Sequence, residues 1–330
     1  MRYSRSEAKS WVKQNLRGYI GVTTTPMTSS GEIDEEGLRR NVDFILSRPG
    51  VNGLYVNSIY QEFWTMTMDE RKRVADIVLE ANAGRVPTIV GANHTSARDT
   101  VELVLHAQKG GADLAMVWPP YYGVRTEAGV HAYYEYIAER VDIGMCIYST
   151  TLHELGHFIT PDAVAKLAEI PNICAVKEVS LSLSGYTQIM ERAGHLLSIS
   201  SPLEEYHIFG MSAFPDRVPN FLLGSSRPLY MQTDEQPHCK NFWDAVERKD
   251  IPAARAAMHP ILKIANALHS RYLQSGTHNV ALTKHITGLI GMAAGPVRAP
   301  MSEPPQFQID EAVALLREAG LLPERLKTGV

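Results

Sequence analysis

Asn172-Ile173-Cys174-Ala175-Val176-Lys177-Glu178-Val179 is a short apolar run that carries a single lysine. Pro171 precedes it and Ser180-Leu181-Ser182 follows, and a run this short between such punctuation reads as a buried strand of a parallel sheet. Lys177 then sits at the strand's carboxyl end. An ammonium taken into an apolar interior loses hydration, so its pKa falls, and the neutral amine can attack a carbonyl to form a Schiff base. The alternative is a lysine that has left the core and pairs with Glu178, since lysine is almost never fully buried unless paired.

Outward from this strand the pattern repeats. Apolar runs at 19–24, 51–56, 86–91, 112–118 and 143–148 precede it and runs at 196–201 and 220–224 follow, eight strands in all. Amphipathic segments at 69–82, 96–110, 127–139, 161–169 and 186–193 lie between them. Asp34 is placed to cap a further helix, with Leu38, Val42, Ile45 and Leu46 on its inner face. A strand and a helix make one βα unit, and eight such units pack naturally as a closed (β/α)8 TIM barrel. A doubly wound open sheet would use the same alternation, but Thr24-Thr25-Pro26 follows the first strand where that fold needs a glycine-rich phosphate loop. Beyond the eighth strand the chain turns helical at 241–248, 252–275 and 280–292, with Pro304-Pro305 leading to a last helix near 309–319. The expected organisation is a barrel with a short N-terminal helix over residues 1–235 and a C-terminal helical appendage over residues 236–330.

Of the 330 residues, 45% are hydrophobic and 21% charged, the balance of an ordinary globular protein. A net charge of −4 makes no case for nucleic acid or an anionic membrane as partner. Two of the three cysteines, Cys146 and Cys174, fall inside strands, so with Cys239 they read as reduced core residues and not as a disulfide framework. The first residues are charged and lead into no apolar signal segment, and no run is long enough for a spanning helix. The expected location is cytoplasmic.

In such a barrel chemistry collects at the carboxyl ends of the strands. Those ends carry Thr24-Thr25, the run Asn57-Ser58-Ile59-Tyr60-Gln61-Glu62, Asn93-His94, Pro119-Pro120-Tyr121-Tyr122, Tyr148-Ser149-Thr150-Thr151, Lys177-Glu178 and Ser200-Ser201. Tyr148 and Lys177 end adjacent strands. A phenol beside a Schiff-base lysine can relay protons during carbinolamine formation and carbon–carbon cleavage, or the tyrosine can simply pack over the rim.

Several of these pieces, in this order, resemble the dihydrodipicolinate synthase and N-acetylneuraminate lyase family of class I aldolases. They are Thr25-Pro26, Gly31-Glu32-Ile33-Asp34, Gly50-Val51-Asn52-Gly53-Leu54, Pro119-Pro120-Tyr121-Tyr122, Ile147-Tyr148, Val176-Lys177-Glu178 and Gly295-Pro296-Val297-Arg298-Ala299-Pro300. The resemblance implies a barrel with C-terminal helices, Lys177 as the Schiff-base lysine, Tyr148 as the proton-relay tyrosine, and no cofactor. It also implies a homotetramer built as a dimer of dimers, in which Tyr122 reaches a neighbour's site.

The departures bear on the substrate. Pyruvate-binding members carry a Gly-Thr-Thr-Gly-Glu type loop after the second strand, where this chain reads Ser58-Ile59-Tyr60-Gln61-Glu62. Ile59 has no hydroxyl and Tyr60 is bulky. The synthases place an arginine five residues beyond the tyrosine, and here His153 stands. The glycine-aspartate turn after the seventh strand is replaced by Ser201-Pro202-Leu203-Glu204. Aromatic residues are plentiful near strand ends instead: Tyr55, Tyr60, Phe63, Trp64, Trp118, Tyr121 and Tyr122. They read either as rim and interface packing or as a cleft for an apolar or aromatic ligand. The expected substrate is a bulky carbonyl compound of the 2-oxo acid type, as in the hydratase-aldolases, with Ser58, Ile59, Tyr60, Thr151, His153 and Ser201 as its binding residues.

Other functions compete. His153-Glu154-Leu155-Gly156-His157 matches the zincin pattern, but that pattern works on a helix, and Thr160-Pro161 marks the next helix start only after it. These residues read as a loop, and no metal site is expected. A Schiff-base dehydratase or decarboxylase is the nearer alternative, because the same iminium stabilises a carbanion whichever bond breaks. A nonenzymatic descendant of the fold would have no need of Tyr148 and Lys177 together.

Overall fold

The computed structural model describes residues 2–120, 122–123, 126–151, 159–270 and 279–322. Eight strands form one sheet: β1 Gly18–Val22, β2 Val51–Val56, β3 Thr88–Gly91, β4 Leu114–Val117, β5 Gly144–Thr150, β6 Ile173–Val179, β7 Ser198–Ser200 and β8 Phe221–Ser225. Their spatial order is β7-β6-β5-β4-β3-β2-β1-β8, and the pairings from β2 through β7 are parallel. β7 and β8 also meet, through Ser200 Oγ donating to Phe221 O at 2.8 Å and Leu223 N donating to Ser201 O at 3.3 Å. The sheet thereby closes on itself as the (β/α)8 barrel expected from the alternation. Strands covered on both faces need no polar alternation, and every residue of β5 and β6 is buried.

Helix starts follow the capping chemistry written in the sequence. Asp34 accepts from Gly37 N at the head of α2 (Glu35–Ser47), and Thr160 accepts from Ala163 N at the head of α6 (Pro161–Leu167), with Pro161 at its first position. Thr67 and Glu70 form a capping box on α3 (Met68–Asn82). Ser96, Thr126 and Ser182 cap α4 (Ala97–Lys109), α5 (Glu127–Ala138) and α7 (Leu183–Ala193) in the same way. α1 (Ala8–Asn15) is the expected N-terminal helix. One helix carried no sequence signal: α8 (Glu204–Ala213), between β7 and β8, buries Glu204, His207 and Gly210, so its inner stripe is polar and small where a pattern search looks for apolar residues. Glu204 is accommodated by a 2.8 Å hydrogen bond from Tyr19 Oη.

Contacts divide the chain into two compact units. The first comprises Met1–Ile20, Asn52–Val56 and Gly84–Ser225, and holds most of the sheet. In it the Tyr3 hydroxyl donates to Asp113 O at 2.5 Å and accepts from Gly144 N at 2.9 Å, tying the N-terminal segment to β5. The second unit comprises Gly21–Val51, Asn57–Ala83 and Ser226–Val330. It contains the helical C-terminal chain: α9 (Arg227–Tyr230), α10 (His238–Glu247), α11 (Ile251–Ala265), α12 (Val280–Leu289) and α13 (Gln306–Glu318). The three cysteines are free and buried. Among the described residues no helix is long and apolar enough to cross a membrane.

The second unit is locked by a buried ion pair. Lys284 on α12 donates to Glu62 Oε1 at 2.8 Å and to Pro296 O at 2.7 Å, while Glu62 Oε2 accepts from Arg298 N at 3.0 Å. The two side chains are 1% and 0% exposed. Removing one member of such a pair leaves an uncompensated buried charge, so Lys284→Met should lower the unfolding free energy by about 3–5 kcal/mol in urea titrations.

Candidate active site

β5 and β6 run in register so that Tyr148 pairs with Lys177, and Lys177 pairs in turn with Ser200 of β7. The pair stands two residues before the ends of its strands, slightly inside the position read from the sequence. Lys177 is 3% exposed. Its amine lies 4.7 Å from the Tyr148 ring centroid and 5.4 Å from that of Tyr55 on β2, and it makes one long contact, 3.5 Å, to Gly224 O on β8. The Tyr148 ring stacks on Trp118 with centroids 4.2 Å apart and planes 24° apart. Trp118 Nε1 donates to Tyr55 Oη at 3.3 Å, which joins the aromatic walls to one another.

The pairing of Lys177 with Glu178 left open by the sequence is not formed. Successive residues of a strand point to opposite faces, and the Glu178 carboxylate turns to its own chain, accepting from Ser180 N at 2.9 Å. Burial raises the Glu178 pKa. Among the described residues Lys177 is left with aromatic faces and one carbonyl and has no carboxylate against it, and burial lowers its pKa to about 7. An amine in that state is a nucleophile at neutral pH.

Gly224 was not singled out by the sequence, and it shapes the space around the amine. Its φ is +78°, and a Cβ built on it would lie 2.7 Å from Lys177 Nζ and 3.1 Å from Tyr55 Cδ1. A lone glycine inside an apolar strand is the available signal, because it marks a close approach of backbone to something else.

The other sequence candidates are placed as follows. Ser58, Ile59 and Tyr60 are buried in the second unit, at a 3-10 turn formed by Ile59–Gln61. Ser201 is buried directly after β7, and its carbonyl is used by Leu223 N. Thr151 donates its hydroxyl to Ser180 O at 2.6 Å. Tyr122 is 84% exposed and Trp64 47% exposed. His153 lies outside the described residues, as do Glu154 and His157 of the zincin-like pattern and Tyr121. Among the described residues no cluster of histidine, cysteine and carboxylate side chains could hold a metal ion.

Residues 15–214 match the family model described as Dihydrodipicolinate synthetase family. The chain belongs to this family. A 4-hydroxy-tetrahydrodipicolinate synthase from Methanothrix thermoacetophila is 29% identical over 305 residues, covering 92% of this chain and 95% of the relative. Another, from Methanothermobacter thermautotrophicus, is 34% identical over 177 residues, 54% of this chain and 62% of that one. Among solved structures, a prophage protein of the dihydrodipicolinic acid synthase family from E. coli K12, in complex with pyruvate, superposes with a TM-score of 0.80 at 23% identity, over 93% of this chain and 99% of the other. Dihydrodipicolinate synthase from Aquifex aeolicus gives 0.79 at 23% identity, over 94% and 100%. Those structures share the fold. Family membership makes the chain a carbon–carbon lyase of the class I aldolase type.

The state of the amine can be read directly. Reductive methylation of Lys177, followed by peptide mass, should titrate with a midpoint of about pH 7, because the unreactive ammonium fills only below it. Exposed lysines in the same sample should respond near their usual pKa of about 10.4.

Proposed function

We propose that the protein cleaves or forms a carbon–carbon bond of a bulky, aromatic 2-oxo acid type substrate through a Schiff base on Lys177. The carrying observation is the buried amine, its pKa lowered to about 7, set against the Tyr148 ring. The neutral amine adds to the substrate carbonyl, and Tyr148 delivers a proton to the developing alkoxide. Loss of one water leaves a protonated imine. In the cleavage direction a hydroxyl two carbons from the imine carbon gives up its proton and becomes a carbonyl, while the pair of the breaking carbon–carbon bond moves into the iminium as an enamine. Protonation of the enamine carbon and hydrolysis by one water return the amine and a smaller 2-oxo acid. Water lost and water taken up balance, and no electrons are exchanged with a cofactor.

The substrate reading rests on what surrounds the loop and the amine. Ile59 and Tyr60 are 3% and 6% exposed, and burial raises the Tyr60 phenol to about 12, so it stays neutral. Tyr55 presents its ring to the amine and accepts a hydrogen bond from Trp118, whose ring stacks on Tyr148. Apolar contact of this kind favours a large, flat carbonyl compound over free pyruvate. In this reading Ser58, Ile59, Tyr60, Thr151, His153 and Ser201 bind the substrate. The working assembly is a dimer of dimers in which Tyr122, exposed in the single chain, is covered by a neighbour.

Borohydride reduction in the presence of phenylpyruvate should add mass to the peptide carrying Lys177. Lys177→Arg should be inactive, since a guanidinium stays protonated; adduct on a different lysine in an active Lys177→Ala chain would remove the proposal. Tyr148→Phe should fold normally and turn over roughly 10²–10⁴ times more slowly, whereas unchanged turnover would reduce Tyr148 to packing. Pyruvate should trap less efficiently than phenylpyruvate, and the reverse preference would overturn the aromatic reading.

A further inference from the structure

Burial answers only half of the charge problem at Lys177. A neutral amine is the nucleophile, but the protonated imine that follows carries its positive charge on the same nitrogen, in the same water-poor place. A buried cation needs a compensating partner, and among the described residues no carboxylate stands against this one. The groups around the nitrogen come from four strands: Tyr55 of β2, Tyr148 of β5, Ser200 of β7 in register with the lysine, and the Gly224 carbonyl of β8. The Ser200 hydroxyl is turned to backbone, donating to Phe221 O at 2.8 Å. The Gly224 carbonyl, at 3.5 Å, stands at the outer limit of a hydrogen bond. The two ring faces are the remaining source of negative potential.

The face of an aromatic ring is electron-rich, and a cation within about 6 Å of its centroid is attracted to it, more strongly where water is excluded. Lys177 Nζ lies over the Tyr148 ring at 4.7 Å and over the Tyr55 ring at 5.4 Å, and both rings are buried. One residue joins them. Trp118, buried directly after β4, stacks on Tyr148 with centroids 4.2 Å apart, and its Nε1 donates to Tyr55 Oη at 3.3 Å. An indole N–H can only donate, so this bond has one sense and holds the Tyr55 ring by its hydroxyl end. The lysine and all three rings belong to the first compact unit.

We propose that the faces of Tyr55 and Tyr148 form a cradle that stabilises the positive charge of the protonated imine, and that Trp118 is the positioning residue that holds both rings at their distances from the nitrogen. The rings form no bond and take no proton in this role. A ring face attracts a cation less strongly than a carboxylate does, so the free amine can still lose its proton, which a carboxylate in this place would prevent. Tyr55 thereby gains a part in the reaction, and the Tyr148 ring gains one separate from that of its hydroxyl. The proposal rests on the Schiff-base reading for the imine, whereas the action of the rings on the amine needs no substrate.

Amine and imine are read separately. Reductive methylation at graded pH gives the midpoint of the free Lys177 amine. Borohydride trapping with phenylpyruvate at about pH 9, well above that midpoint, gives the half-saturating concentration for the imine. Both are measured in the wild-type chain, in Tyr55→Leu, Tyr55→Phe and Trp118→Phe, and in the chain carrying the last two together. Tyr55→Leu should lower the midpoint by about 0.5–1.5 pH units and raise the half-saturating concentration about threefold to thirtyfold, the worth of one cation–π contact. Lost packing alone has the opposite sign, because water admitted beside the amine raises the midpoint towards the usual lysine value. Tyr55→Phe keeps the ring face and Trp118→Phe keeps an aromatic ring against Tyr148, and each removes the same Nε1–Oη bond. Each should therefore give a smaller change of the same sign as Tyr55→Leu, and the two together no more than one; this pair carries the test should Tyr55→Leu disturb folding. A midpoint that rises or stays unchanged in Tyr55→Leu overturns the cradle, and additive losses from the pair overturn the part given to Trp118. A lowered midpoint with unchanged trapping overturns the stabilisation of the imine. If the midpoints fall as stated while no compound is trapped on Lys177 in any chain, the cradle stands as a cation site and the Schiff-base reading falls.

Discussion

An ammonium cannot be buried without losing hydration worth several kcal/mol, and a protein answers that either with a counter-charge or by letting the group go neutral. At Lys177 the second answer holds. Among the described residues, aromatic rings and one distant carbonyl but no carboxylate surround the amine, and Glu178, the nearest acid in sequence, faces the other side of the strand and is occupied by Ser180. A salt bridge at this position would hold the amine charged and unreactive. The same barrel that provides the burial also provides the rigidity, because a strand fixed by both neighbours holds its side chain in one place.

The contrast with Lys284 is instructive. Both lysines are buried to nearly the same extent, at 3% and 1% exposed, and burial lowers the pKa of each. At Lys284 the Glu62 carboxylate acts in the opposite direction and offsets part of that lowering. One lysine is therefore equipped for chemistry and the other for structure, and the difference is a single carboxylate at 2.8 Å. The structural lysine has a local consequence: it holds the left-handed Glu62 and with it one end of the loop that carries Ser58 and Gln61.

Sequence patterns worked best where local and tertiary demands agree. Short apolar runs can bury both faces only in a covered sheet, and cap residues such as Asp34, Thr67 and Thr160 satisfy the same backbone donors whether or not the tertiary structure is known. They worked least well where a residue's surroundings come from distant chain. α8 has no apolar stripe, since its buried face is completed by the Tyr19 hydroxyl on β1. Gly224 looks like any strand glycine until the Lys177 side chain is set 2.7 Å from where its Cβ would be.

The amino-acid sequence by itself determined the alternation of strands and helices, the lysine and tyrosine near the carboxyl ends of adjacent strands, and the family resemblance, because these follow from periodicity and from residue identity at fixed spacing. Only the tertiary structure decided which lysine has no carboxylate against it among the described residues, and which glycine makes room for it. Those properties are sums over neighbours distant in the chain, such as Gly224, 47 positions from Lys177, and Glu62, 222 positions from Lys284. The electrostatic environment of a side chain is set by distance in space, which a linear pattern does not contain.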